Sequence, residues 1–162
     1  MIFITLGSQK FQFNRLLKTA DELIEQGTIK EDVFAQIGYS DYKPVNYSYK
    51  QFLNRDEFAA MEGKADIVIT HGGTGAIIGA VKKGKKVIAV PRLAKYGEHV
   101  DDHQLQIIEQ FENQNLICGI SDITELKEAI RFVHEHKFDS YESNTTVIIK
   151  SIQRFIQENI HD

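Results

Sequence analysis

The chain has 162 residues and a formal net charge of −4 at pH 7, with 42% hydrophobic and 26% charged residues. That composition suits one domain over 1–162 with an ordinary core, and the negative balance argues against a protein that coats nucleic acid by charge alone. Its one cysteine, Cys118, has no partner for an intrachain disulfide and reads as a buried structural thiol in the apolar setting Leu116-Ile117.

No apolar stretch is long enough to span a bilayer. Met1 leads straight into Ile2-Phe3-Ile4-Thr5-Leu6 without a basic region or a small-residue cleavage site, so a cytoplasmic location is expected.

Ile2 to Leu6 is a short β-prone run ended by Gly7, a first buried strand. Phe13, Leu16, Leu17, Ala20, Leu23 and Ile24 recur at helical spacing up to Gly27. Val33 to Ile37 is a second strand closed by Gly38. Tyr47, Tyr49 and Phe52 alternate with polar residues and predict a half-buried third strand. Asn54 to Lys64 reads as a helix with Asn54 as N-cap. Asp66 to Thr70 is the clearest strand. Thr74 to Lys83 is a helix with Gly84 in the C′ position, and Val87 to Val90 is a strand ended by Pro91. Asp101 to Asn113 predicts a helix with Leu105, Ile108 and Phe111 on one face. Leu116 to Ile120 is a last strand, Ser121 or Asp122 caps a further helix, and a final helix runs near 144–159.

Strands alternating with helices predict a Rossmann-like α/β fold, a doubly wound parallel sheet with helices on both faces. Ligands in such sheets bind beyond the carboxyl ends of the strands. Gly7-Ser8-Gln9, Gly38-Tyr39, His71 to Gly75 and Pro91 to His99 are all such ends.

His71-Gly72-Gly73-Thr74-Gly75 stands at a strand-to-helix junction. The first N–H groups of a helix lack partners and, with the helix dipole, favour an anion. The glycines leave room for a phosphate and Thr74 adds a hydroxyl; equally, they suit a tight turn and nothing more. GxxxxGK[ST] is absent, and GxGxxG fails because position 78 is Ile, which disfavours a nicotinamide dinucleotide. The next strand is followed by a polar run containing Arg92, Lys95, Tyr96, Glu98, His99, Asp101, Asp102, His103 and Gln104. His99 and His103 are four apart, but HExxH is absent, so caps and polar contacts are preferred over a metal site. Lys82, Lys83, Lys85 and Lys86 flank a helix end where cations suit the dipole, and His134 and His136 read as surface residues.

Three stretches, HGGTG (71–75), KKVIAVPR (85–92) and HVDDHQLQ (99–106), together with the opening MIFITLGSQKFQFNRLL, resemble the C-terminal, sugar-nucleotide-binding domain of GT-B glycosyltransferases of family 28. The likeness extends to stand-alone bacterial subunits of capsular and exopolysaccharide synthesis. It also extends to the soluble subunit of the two-part eukaryotic enzyme that adds the second N-acetylglucosamine to a dolichol-linked acceptor.

The resemblance implies a hexosyltransferase of GT-B C-terminal-domain type. Its donor would be UDP-galactose, UDP-glucose or UDP-N-acetylglucosamine and its acceptor a polyprenyl-diphosphate-linked saccharide. It implies no metal and no other cofactor. It places Gly7 and Ser8 in a first glycine loop and Gly72, Gly73, Thr74 and Gly75 in a second. Gln104 falls near the donor sugar, and His71 beside the phosphates as a candidate catalytic group. Glu98, a second catalytic candidate, joins His99 and Asp102 as candidates for donor hydroxyls. Gly79 departs from relatives that carry a ribose-binding Glu there.

Because the chain opens at the donor-domain strand, a half-enzyme is expected. A membrane-associated partner would then supply the acceptor groove, recruitment to the inner face of the membrane and the base. The final helix (Ile148, Ile152, Phe155, Ile156) is a candidate docking surface for that partner, with packing on the core preferred. The rival reading is a non-catalytic nucleotide-sugar-binding regulatory module.

Overall fold

A computed structural model describes residues 1–140 and 143–159. Six parallel strands form one sheet: β1 (Ile2–Thr5), β2 (Val33–Gln36), β3 (Ser48–Lys50), β4 (Ile67–His71), β5 (Lys86–Val90) and β6 (Cys118–Gly119). Their spatial order is β3-β2-β1-β4-β5-β6. β1 pairs with β2 on one side and β4 on the other, with Ile4 opposite both Ala35 and Ile69. The strand order therefore reverses between β1 and β4, and beyond their carboxyl ends lies the position where open α/β sheets form their ligand crevice.

Alternation along the central strands divides the core into two layers. Ile2, Ile4, Ile67, Ile69, Ile88 and Val90 face the layer covered by α1 (Asn14–Glu25) and α5 (Leu126–Glu135). Phe3, Val68, Val87 and Ala89 face the layer covered by α2 (Arg55–Lys64), α3 (Thr74–Lys82), α4 (His103–Asn113) and α6 (Ser143–Asn159). Leu16, Leu17, Ala20 and Leu23 of α1 are buried, as their spacing requires.

Local chemistry sets the ends. Asn54 caps α2 in a reciprocal box: its side chain accepts the Glu57 N–H at 2.8 Å, and Glu57 accepts the Asn54 N–H at 3.1 Å. Gly84, at φ 73°, closes α3. Phe13 is not in the first turn of α1 but is its fully buried N-cap residue; Ser40 Oγ accepts its N–H at 2.9 Å.

Several expectations are corrected. β3 is exposed along its length, because it is an edge strand; of the expected alternating aromatics only Tyr47, just before it, is buried. β6 keeps two paired residues, and Asp122 caps a short 3-10 turn at 123–125 before α5 starts. In α4 the inward residue of the first turn is Gln104, 3% exposed, whereas Leu105 is 37% exposed. Ile152 and Ile156 of α6 are buried in the core layer, so that face is not available for docking; the Ile148 side chain lies outside what is described. The lysines after α3 serve other elements: Lys86 Nζ donates to the carbonyls of Val133, His134 and His136 at the end of α5, and Lys85 Nζ to Gly63 O. His134 is exposed, whereas His136 is partly buried against Asn115 Oδ1, 2.6 Å from its Nε2. Cys118 is buried as expected, and burial pushes its thiol up to about 11. No helix of the described residues is long and apolar enough to cross a membrane.

Candidate functional site at the strand-order reversal

The crevice is built by the loops that leave β1 and β4. β4 ends on His71, whose imidazole is 6% exposed and wedged between two glycine segments. A β-carbon at Gly7 would lie 2.7 Å from His71 Nε2, and one at Gly73 would overlap the ring at Cε1. Gly7 also has φ 73°, a conformation other residues rarely adopt. A β-carbon at Gly72 would lie 2.6 Å from Gln104 Cβ. Three of the glycines are thus required by the side chains of His71 and Gln104, a cause the sequence pattern does not reveal. Gly75 is exposed, and a side chain there would meet open space, as it would at Gly79.

Gln104 reaches across from α4 to join the two loops. Its Oε1 accepts the N–H of Gly72 at 3.0 Å and of Arg92 at 2.9 Å. Its Nε2 lies 3.3 Å from His71 Nδ1. Burial, then the nearby Arg92 and His99, push the His71 pKa down to about 3, so the ring is neutral at physiological pH. His71 Nε2 has no hydrogen-bond partner among the described residues.

Beside it α3 begins. Ile77 N–H is the first to bond back, to Gly73 O at 3.1 Å, which leaves the N–H groups of Thr74, Gly75 and Ala76 without protein acceptors among the described residues. Thr74 Oγ1 is buried without a partner. Three backbone donors without protein acceptors and the positive end of a helix dipole, beside the neutral His71 ring, suit an anion.

Arg92 and Glu98 do something the sequence does not signal. Arg92 is 1% exposed and lies 5.0 Å over the Phe13 ring. Its Nη2 donates to Leu6 O at 2.6 Å; its Nη1 donates to Phe11 O, Gln12 O and Glu98 O at 3.0 to 3.3 Å. Burial lowers its pKa to about 10, partly offset by Glu98, and it stays cationic at pH 7. Glu98, fully buried, accepts two bonds from Arg15 at 3.0 Å and one from Leu93 N–H at 3.0 Å. The loop after β1 and the loop after β5 are thereby joined, and Glu98's carboxylate is committed to holding them.

The remaining candidates spread along the rim. Ser8 is exposed next to Gly7. His99 packs 5.7 Å from the Phe11 ring, with Nδ1 3.2 Å from Asp101 Oδ1. Asp102 is exposed and accepts Ala94 N–H at 2.8 Å, closing its own loop; the helix start at His103 N–H is bonded by Asp101. Among the described residues no three His, Cys, Asp or Glu side chains converge as metal ligands would.

Comparisons with known proteins identify the family and the fold. A family model, the glycosyltransferase family 28 C-terminal domain, matches residues 1–159. The UDP-N-acetylglucosamine transferase subunit ALG13 of Yarrowia lipolytica is 27% identical over 111 residues, 67% of this chain and 53% of that protein. The subunit of the same name from Candida glabrata is 37% identical over 92 residues, 54% of this chain and 44% of that protein. The chain thus matches about half the length of these curated relatives. Among solved structures, an ALG13 solution structure is similar with a TM-score of 0.60 at 17% identity, covering 94% of this chain and 96% of that one. The calicheamicin glycosyltransferase CalG4 is similar with a TM-score of 0.59 at 18% identity, covering 97% of this chain and 38% of that one. At such identities these structures share the fold.

Proposed function

The chain belongs to the glycosyltransferase family 28 C-terminal domains, and on that premise we propose that it is the donor-binding half of a two-part glycosyltransferase. The donor is a UDP-sugar whose diphosphate rests on the start of α3 and against the Nε2–H edge of His71. UDP-N-acetylglucosamine is the first candidate, because the curated relatives are named for it; UDP-galactose and UDP-glucose follow. The acceptor is a polyprenyl-diphosphate-linked saccharide of capsular or extracellular polysaccharide assembly. A membrane-associated partner subunit presents it and draws this chain to the membrane's inner face.

In the transfer an acceptor hydroxyl attacks the anomeric carbon, the bond from that carbon to the diphosphate breaks, and UDP leaves with the electron pair. The Thr74–Ala76 N–H groups and His71 stabilise the charge gathering on the departing diphosphate, the large electrostatic term in such reactions, without a bound cation. The acceptor proton goes to a base on the partner, since Glu98 is held by Arg15 and the Leu93 N–H. Ser8, His99 and Asp102 line the approach of the nucleotide and sugar.

The observation that carries this reading is the set of unpartnered donors at the strand-order reversal, with open space at Gly75. Titration calorimetry with UDP and the three UDP-sugars tests it, using the wild type and Gly75→Glu. The substitution puts a carboxylate where the diphosphate would sit, yet favours the helix in both propensity and dipole. Saturable UDP binding that Gly75→Glu abolishes, with thermal stability equal or higher, is expected. No saturable binding at millimolar UDP-sugar, with the partner subunit present, overturns the reading.

A further inference from the structure

The hydrogen bonds around Gln104 fix more than loop packing. Backbone N–H groups only donate, so the Gln104 side-chain atom that meets both Gly72 N–H and Arg92 N–H is the oxygen. The atom facing His71 Nδ1 at 3.3 Å is then the amide nitrogen, which only donates. Nδ1 must accept, and a neutral imidazole that accepts at Nδ1 carries its proton on Nε2. We infer that Gln104 is a positioning residue that holds His71 in the Nε2–H tautomer, with that N–H turned to the crevice beside Gly7 as a donor to an anionic oxygen. The backbone of two loops sets the orientation of the Gln104 amide, and the amide sets the proton on His71.

The assumption that the anionic oxygen belongs to a nucleoside diphosphate rests on the donor-site reading above; the tautomer does not. A neutral donor suits this place. A cationic imidazole would stand beside the buried Arg92 guanidinium, and the opposite tautomer would turn a lone pair toward the anion. Gln104→Glu separates this role from packing. It keeps an oxygen for Gly72 and Arg92 but replaces the donor at Nδ1 by an acceptor, so Nδ1 must take up a proton.

The test is long-range proton–nitrogen NMR on protein labelled with ¹⁵N-histidine at pH 8, with the His71 signals identified by their loss in His71→Gln. The wild type is expected to show an unprotonated Nδ1 and a protonated Nε2. Gln104→Glu is expected to protonate Nδ1 and, as the neutral ring then loses its Nε2–H, to weaken UDP binding about 10- to 100-fold, the factor for losing a hydrogen bond to a charged group. A wild-type His71 protonated on Nδ1 overturns the inference whether or not the variant folds. So does a folded Gln104→Glu protein that keeps the wild-type pattern. An Nε2–H tautomer whose signals ignore saturating UDP supports the Gln104 assignment and overturns the donor-site reading instead.

Discussion

β5 is bracketed by two cations that gather main-chain carbonyls, and they do it differently. Lys86, at the amino end and partly buried, takes three carbonyls from the end of α5, within four residues of one another in the chain. Arg92, two residues past the carboxyl end and fully buried, takes four: Leu6, Phe11, Gln12 and Glu98, the first of them 86 residues away. The lysine satisfies carbonyls at the end of a single helix. The arginine's planar fork holds two distant loops in one arrangement, a task for which a point charge is poorly suited. The rim that carries His71 and the start of α3 is held by the second method, and the opposite rim by the first.

The contrast breaks most sharply at Arg92. Arg92→Met fills similar space but strands the buried carbonyls of Leu6 and Glu98 and the partly buried ones of Phe11 and Gln12, and should cost about 3–5 kcal/mol in urea unfolding. A loss under about 1 kcal/mol would mean that the loops hold without it.

Next comes acid. In the unfolded chain His71 takes a proton below about pH 6.5, whereas in the fold it stays neutral down to about pH 3. The unfolded state therefore binds more protons as pH falls through that window, and stability falls with it, by up to about 1.4 kcal/mol per pH unit from this one group. Unfolding free energies measured at pH 6.5 and 4.5 should fall less in His71→Gln than in wild type. Equal falls would place His71 in solvent.

The smallest effect belongs to the other end of the strand. Lys86→Met leaves the α5 carbonyls close to water and should cost about 0.3–1 kcal/mol. A loss matching that of Arg92→Met would erase the distinction between the two rims.

Much of this was legible in the residues. The alternation of strands and helices fixes the fold class, and the Asn54–Glu57 box and Gly84 fix two helix ends because each carries its own chemistry locally. The HGGTG cluster locates the crevice. What the residues did not disclose depends on partners far along the chain. Glu98 reads as a rim carboxylate until Arg15, 83 residues away, is seen to hold it. Helical spacing favours Leu105 as the inward residue because it weighs apolarity, while Gln104 is buried by bonds to Gly72 and Arg92. The glycines suggest space for a ligand, yet at Gly7 and Gly73 the space is filled by His71. The edge strands β3 and β6 are more exposed or shorter than their residues suggest, because strand propensity says nothing about how many neighbours a strand will have.

The central claim is that the crevice between the ends of β1 and β4 receives a nucleoside diphosphate. Amide NMR of the labelled chain, titrated with UDP and separately with uridine, tests it most directly. The account predicts saturable shifts centred on His71 to Ala76 and Gly7 with UDP, and little there with uridine, since the donors at α3 meet phosphate oxygens. Shifts centred instead on the cavity of about 340 Å³ at the opposite rim, lined by Lys85, Lys86 and His136, or equal responses to UDP and uridine, would contradict it.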